Sequence, residues 1–228
     1  MRFSTQRLWA GLFMLLLVGA PGVLQAQSWE RVMALAATPS SEFTFCNTTC
    51  YDAAGNLVVA GSFGGSLTLG SFTLTSAGKR DIFVARLSPA GQWTQAVRAG
   101  GTGDDGATAL LLLPGGELAV ASSFENSLTL GSSMLTSAGK RDIFVARLSP
   151  AGQWTQAVRA GGSEDDGISA LSLDAAAQLV AVGSFVSPTV TFGTFILQNT
   201  IRPTNPLVTL TPTCLSLAST QPDSGLRP

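Results

Sequence analysis

A block of 28 residues occurs twice in this chain without a single difference, at residues 74–101 and at residues 135–162. It reads LTSAGKRDIFVARLSPAGQWTQAVRAGG, and its two copies are offset by 61 residues. The same offset extends beyond the block, since it relates Phe63 to Phe124 and the acidic pair at 104–105 to the pair at 165–166. Self-similarity at one fixed period indicates an array of a single structural unit.

Three units can be aligned, at approximately residues 29–92, 93–153 and 154–213. The first is divergent, with SWERVMALAATPSSEFTF at the place of QWTQAVRAGGTGDDGATA in the second. The third loses the pattern towards its end, where NPLVTLTPT echoes DIFVARLSPA and CLSLAST replaces the strand that begins with Trp elsewhere. The tail at 214–228 is expected to fray, and its last part, 221–228, is polar with two prolines.

The strand signals within one unit are dense. In the second unit they predict strands at 107–113, 117–124, 142–148 and 154–160, with a small separate hairpin at 127–136. The second strand, LAVASSF, is rich in small residues, which indicates close approach of neighbouring backbone. The fourth has the mixed alternation of an outer, half-solvated strand.

Four such strands and a short hairpin predict one blade of a β-propeller. The predicted fold is therefore all-β, a partial propeller of about three blades that follows a signal peptide. A closed three-fold fold such as a β-trefoil is the alternative, although 61 residues is long for its unit.

Three motifs resemble the SBBP-type β-propeller repeat of secreted bacterial proteins. They are DAAGNLVVAGSF at 52–63, DIFVARLSPAG at 81–91 and 142–152, and the pair GGTGDDG and GGSEDDG from Gly100 and Gly161. The resemblance covers about residues 29–213, and it implies an exported or surface-located protein. Such propellers usually have six or seven blades, so we expect self-association, most simply two chains completing a six-bladed ring.

The N-terminus has the features of a secretory leader. Arg2 and Arg7 precede an apolar run at 8–18, and Leu-Gln-Ala ends at Ala26. We predict cleavage after Ala26, with the repeats occupying 27–213 of the mature chain. The run is shorter than the ~20 residues that span a bilayer. We therefore expect no stable membrane insertion after cleavage, and a secreted location, extracellular, at the cell surface or in the periplasm.

Composition excludes several function classes. The net charge is −1 and only 12% of residues are charged, so the sequence offers no basic face for nucleic acid. The chain contains no histidine, which excludes histidine acid–base catalysis and imidazole metal ligation. We expect no cofactor and interpret the chain as a non-enzymatic scaffold that binds a glycan or a protein. The alternatives are an exported carbohydrate-active enzyme on a propeller, and a fragment of a larger propeller without independent activity.

Two acidic pairs lie in glycine-rich turns, and they are the weak candidates for Ca²⁺ ligands: Asp104, Asp105, Asp165 and Asp166. Carboxylate oxygens suit that ion. Aspartates in turns more often accept hydrogen bonds from nearby backbone, and this interpretation is favoured here. A catalytic role is not expected, because adjacent carboxyls seldom flank a substrate at the ~5–9 Å separations of glycoside hydrolysis.

Basic pairs precede the buried strand in two units, and they are the candidates for a binding rim: Lys79, Arg80, Lys140 and Arg141. They either form part of an arc for acidic glycans or act as solvated charges that discourage edge aggregation. Trp93 and Trp154 are interpreted as residues that pack between units, with sugar stacking as the alternative.

Cys46 and Cys50 enclose a short polar stretch, and in an oxidising compartment they are candidates for a local disulfide that leaves Cys214 alone. The intervening Asn47-Thr48-Thr49 matches a glycosylation sequon, a motif short enough to occur by chance.

Overall fold

The computed structural model describes residues 43–199 in full and, outside them, only strand backbone at 12–16, 31–35 and 213–218. The predicted all-β class is confirmed, since every regular element in these segments is a strand and none is a helix. In chain order the strands are β1 (Leu12–Leu16), β2 (Arg31–Leu35), β3 (Thr44–Tyr51), β4 (Leu57–Phe63), β5 (Ser66–Leu69), β6 (Phe72–Thr75), β7 (Asp81–Leu87), β8 (Trp93–Ala99), β9 (Ala109–Leu112), β10 (Leu118–Leu130), β11 (Ser133–Leu148), β12 (Trp154–Gly161), β13 (Asp166–Leu173), β14 (Leu179–Phe185), β15 (Thr189–Phe192), β16 (Phe195–Gln198) and β17 (Thr213–Ala218).

The strands form three antiparallel meanders, which are offset from the aligned units by one strand, because β8 and β12 open the second and third units but pair with strands of the unit before. The first meander has the order β3-β4-β7-β8, with the hairpin β5–β6 beside it. The second runs β9-β10-β11-β12 and is extended by β15 and β16 into a six-stranded sheet. The third has the order β13-β14-β17. Neighbouring strands run in chain order, but β4 and β7 are separated in sequence by the hairpin β5–β6, and β14 and β17 by the hairpin β15–β16.

Small residues in the second strand of a meander allow its neighbour to come close. A Cβ at Gly61 would lie 1.8 Å from the carbonyl oxygen of Phe45 on β3. At the equivalent Gly183, a Cβ would lie 2.2 Å from the carbonyl oxygen of Gly167. In both places the opposing strand contains a bulge. The close backbone approach predicted from these small residues is confirmed.

The core of the described residues contains three hydrophobic clusters, and two of them are one interface formed twice. The third lies on the other face of the first meander and includes Leu57, Val59, Phe63 and Phe83. One face of the first meander packs against the second meander, with these buried residues at the centre: Val58, Ala60, Ile82, Val84, Val120, Phe124 and Phe144. The other face of the second meander packs against the third in the same way, through Ala121, Ile143, Ile168, Ala181 and Phe185. Residues of the first interface recur in the second at the 61-residue offset, so the repeat in sequence is a repeat in packing.

The small hairpin predicted at 127–136 pairs as expected, with Ser127 opposite Thr136. It is not separate, however, because β10 and β11 continue into it through a bulge after Glu125. The unpaired residue is Asn126, whose φ is +60°, and the first unit has Gly65 with φ +69° at this position. Asparagine and glycine are the residues that adopt this conformation at least cost, and a bulge there bends the sheet.

The third meander departs from the predicted alignment. Strand β17 pairs with β14 at the place that β7 and β11 occupy in the other units, with Phe185 opposite Thr213 as Phe63 is opposite Asp81. The stretch at 205–213 was predicted to supply this strand, and it is the following residues that do so. The expected frayed tail at 214–228 accordingly begins within a strand.

The predicted leader at 1–26 contains β1, which pairs antiparallel with β2; its other residues lie outside the described part of the chain. No helix among the described residues has the length and apolar character to cross a membrane.

Candidate functional site: acidic turns and a charged rim

Asp105 is the inner carboxylate of the first acidic pair. It is buried, and its oxygens accept hydrogen bonds from the backbone N–H groups of Gly101 at 2.8 Å and Glu125 at 3.4 Å. These bonds fasten the glycine-rich turn to the strand β10. Burial raises the pKa of Asp105 to about 7, the negative charges of Asp81 and Glu125 act in the same direction, and the two backbone bonds oppose the shift.

Asp166 is the equivalent carboxylate one unit later, and it is also buried. It accepts hydrogen bonds from the backbone of Gly162 at 2.8 Å and of Val186 at 3.1 Å. The hydroxyl of Ser187 donates a further bond at 2.7 Å. Both inner carboxylates therefore organise a turn, which agrees with the favoured interpretation from the sequence.

The outer carboxylates point elsewhere. Asp104 accepts a hydrogen bond from Arg80 Nε at 2.7 Å, and this guanidinium holds the pKa of Asp104 below its usual value. Asp165 is exposed beside Arg141, to which its backbone forms a parallel bridge. Within residues 43–199, no three potential ligands of the His, Cys, Asp and Glu types lie close enough to hold a metal ion. The structure does not bring the four Ca²⁺ candidates together.

The basic residues of the predicted rim are all engaged with carboxylates. Glu125 is the hub, since Lys79 lies 3.6 Å and Arg141 3.2 Å from its carboxylate oxygens. Lys140 pairs with Glu164 of the next unit at 2.8 Å. The result is a ladder of ion pairs that crosses both unit boundaries. Exposed ion pairs are screened by solvent and contribute little to stability, so the ladder fixes the alignment of the units more than it stabilises them.

A second set of carboxylates escaped the sequence analysis. Asp81 and Asp142 are fully buried, and each accepts hydrogen bonds from an arginine on the neighbouring strand, Arg98 and Arg159 respectively. The other oxygen of each has no hydrogen-bond partner among the described residues. A Cβ at Gly100 would lie 2.2 Å from the Asp81 carboxylate. The signal in the sequence was the co-occurrence of KRD and RAGG in both identical blocks.

Trp93 and Trp154 pack at the hairpin turns. A Cβ at Gly70 would lie 3.5 Å from the Trp93 side chain, and one at Gly131 would lie 3.5 Å from that of Trp154. Trp154 Nε1 also donates a 3.4 Å hydrogen bond to the carbonyl oxygen of Arg98 in the preceding unit. These contacts support packing within and between units as the role of both residues.

Cys46 and Cys50 are free thiols on opposite faces of β3. Cys46 is opposite Gly61 and Cys50 is opposite Val58, because the bulge after Cys46 reverses the alternation of side chains. The predicted local disulfide is not formed, and this placement gives its physical reason. Burial raises the pKa of Cys46, and it raises the pKa of Cys50 to about 11. The side chain of Cys214 lies outside the described residues.

The asparagine of the predicted sequon forms a hydrogen bond between units. Asn47 donates a hydrogen bond from its side-chain amide to the carbonyl oxygen of Ala107 at 3.1 Å. This bond joins β3 to the second unit, so a glycan on Asn47 would compete with a contact between units.

An aromatic pair lies at the start of β3. Phe43 and Phe45 are exposed, and their rings stack with centroids 6.3 Å apart and planes 12° from parallel. The positions one repeat later hold Asp104 and Gly106, so this pair is not part of the repeated pattern. An exposed aromatic pair outside the repeat is the described feature best suited to contact a ligand.

No protein-family model matches the chain, and comparison with curated proteins gives no match.

Proposed function

We propose that the chain is an exported, non-enzymatic scaffold of the SBBP-like β-propeller type, in which the three meanders are blades of a partial propeller. The observation that carries this proposal is the interface that is formed twice, at the same offset, by opposite faces of the repeated sheets. Stacking of identical sheets face to face is how a propeller and other repeat proteins bury their cores.

The residues that repeat have structural duties, which supports a scaffold. Asp105 and Asp166 organise turns, and the ion-pair ladder and the two tryptophans connect units. Binding is then assigned to what does not repeat, the stacked pair Phe43 and Phe45. Stacked rings offer a flat apolar face for the sugar rings of a glycan or for apolar side chains of a protein ligand.

The enzyme alternative rests on one observation. Asp105 has its pKa raised to about 7, which is the tuning that a general acid requires. Its oxygens, however, accept two backbone hydrogen bonds within a buried turn, and Asp104 beside it is bound to Arg80.

A fragment of a larger propeller is favoured by a different observation. Val182 is 41% exposed, whereas Ala60 and Ala121 at the same place in the other units are fully buried. The outer face of the third meander is thus open where the other two are covered.

The test is binding of the exported chain to a panel of immobilised glycans, with hydrolysis of the same glycans measured in parallel. We expect binding without turnover, and at least a tenfold loss of affinity in Phe45→Ala. Tyr51→Ala is the matched control, because Tyr51 is exposed on the same strand beyond the bulge. Turnover that Asp105→Asn abolishes in a folded protein would contradict the proposal and favour the enzyme.

N-terminal sequencing of the exported chain should begin at Gln27.

A further inference from the structure

The third meander has no outer strand among the described elements. In the first two meanders the outer strands β8 and β12 begin at a tryptophan and pair with β7 and β11. In the third, β17 pairs with β14 and ends the described sheet. No tryptophan follows Trp154 in the sequence. The edge of β17 is where an outer strand would pair.

The contacts of the third hairpin show the same gap. Gly193 occupies the turn position of Gly70 and Gly131 and has a similar positive φ. A Cβ at Gly193 would meet nothing within 4 Å, whereas the other two turns contact a tryptophan. Phe195, two residues on, is 67% exposed, while Phe72 at the same position of the first hairpin is half-buried. The third hairpin thus leaves open the turn that a tryptophan contacts in the other two.

The start of the mature chain carries a strand of the matching kind. Trp29 opens SWERVMALAA, the sequence counterpart of the outer strand QWTQAVRAGG, and β2 forms within this segment. In the structure β2 pairs with β1, which lies in the predicted leader. Cleavage after Ala26 would remove that partner and free an edge of β2.

The repeat also fixes where such a strand belongs. At the end of each outer strand the chain pairs with the hairpin that belongs to the following meander, Gly100 with Thr129 and Gly161 with Thr191. A strand that precedes the first meander is therefore the outer strand of the sheet packed before that meander. The chain has one outer strand too many at its start, and its third sheet has none among the described strands.

We propose that residues 28–36 of one copy form the outer strand of the third meander of a second copy, beside β17 and with Trp29 against the turn at Gly193. The exchange is reciprocal, so each copy completes the third meander of the other, and two copies form an assembly of six units. A second copy is required because the second meander lies between the first and third and packs against both. The inference rests on the proposed propeller-type fold.

The experiment uses the exported full chain with the photoreactive residue p-benzoylphenylalanine at position 195, mixed from ¹⁵N-labelled and unlabelled copies. We expect a molar mass of two chains by light scattering and, after irradiation, crosslinks from position 195 to residues 27–36 of the other isotopic copy. Phe195→Glu should raise the dissociation constant of the dimer at least tenfold. Trp29→Ala should also raise the dissociation constant of the dimer at least tenfold, although it leaves the hairpin sequence unchanged.

Ile196→Glu is the matched control. Ile196 is 63% exposed and adjacent to Phe195, but it lies on the side of the hairpin that Met134 leaves exposed even where a tryptophan strand is present. Its substitution should leave the dimer intact. The strand exchange would be overturned by a monomeric wild-type chain or by crosslinks within one copy. It would also be overturned if Phe195→Glu and Ile196→Glu weakened the dimer equally. A monomer that still binds a glycan through Phe45 would leave the proposed function standing while this inference fails.

Discussion

At the residue scale, burial decides what each carboxylate does. Asp104 and Asp105 are neighbours in sequence, yet the first binds Arg80 at the rim and the second organises a buried turn. Burying a charged group is costly unless the group is hydrogen-bonded, and in this turn only the Asp105 carboxylate is buried. The turn role was predictable from glycine-rich surroundings. The pairing of Asp81 with Arg98 was not, because it depends on which strands become neighbours.

Asp105→Asn should weaken the dependence of stability on pH. Burial raises the pKa of Asp105 from 3.8 to about 7, so between these values the folded chain holds a proton that the unfolded chain has released. The free energy of unfolding of the wild type therefore falls as pH rises through this window, and the contribution is lost above about 7. The amide variant does not titrate, and urea unfolding at a series of pH values should show a smaller fall.

The control for this pH dependence is Asp104→Asn. Arg80 lowers the pKa of Asp104, so its contribution has the opposite sign and is lost as pH decreases through the acid range. Identical slopes between pH 4 and 7 in the wild type and Asp105→Asn would show that this carboxylate does not titrate there.

At the element scale, β10 and β11 continue into the hairpin through a bulge at Asn126. Its φ of +60° suits glycine, which stands at the equivalent Gly65. Asn126→Val should lower the free energy of unfolding by about 1–2 kcal/mol, because a β-branched residue is strained in this conformation. Asn126→Gly should stay within about 0.5 kcal/mol of the wild type. Chemical denaturation measures both.

Thr129→Val is the control for the bulge, because Thr129 is an exposed residue in the regular part of the same strand. We expect a change within about 0.5 kcal/mol, as for most surface substitutions. If valine lowers the free energy of unfolding as much at 129 as at 126, the left-handed conformation of Asn126 is not the cause of the loss.

Most strands could be predicted from the sequence, and the exceptions have physical causes. The apolar run at 142–148 and the alternating stretch at 154–160 became the end of β11 and most of β12. The continuity through Asn126 has no signal in the local conformation, because Gly65 has the same left-handed φ and the strands β4 and β5 on either side of it are separate. The opposite facing of Cys46 and Cys50 was missed because a single bulge reverses the side-chain order. The displacement of β17 past residue 212 depends on pairing with β14, which is not local.

At the scale of the whole molecule, the repeat predicts that interfaces recur, and the two packed faces bear this out. What the repeat does not specify is how the outermost faces are covered. Small side chains at Ala60 and Ala121 let adjacent sheets approach closely, and both are fully buried. Val182 occupies the same place in the third unit and is 41% exposed. The third unit therefore has an apolar residue at the interface position, although that position is not covered.

Val182→Asp and Ala121→Asp place the same charge at equivalent positions and should have different effects. Aspartate at 121 would be buried between the second and third meanders without a partner, and should cost more than about 3 kcal/mol of unfolding free energy. At 182 the carboxylate can remain hydrated in a single copy, so folding of each chain should persist while assembly is lost. Urea unfolding measures the first effect, and sedimentation velocity across a concentration series measures the second. If Val182→Asp sediments like the wild type at every concentration, the exposed face of the third meander is not an interface, and the internal repeat has no consequence beyond one chain.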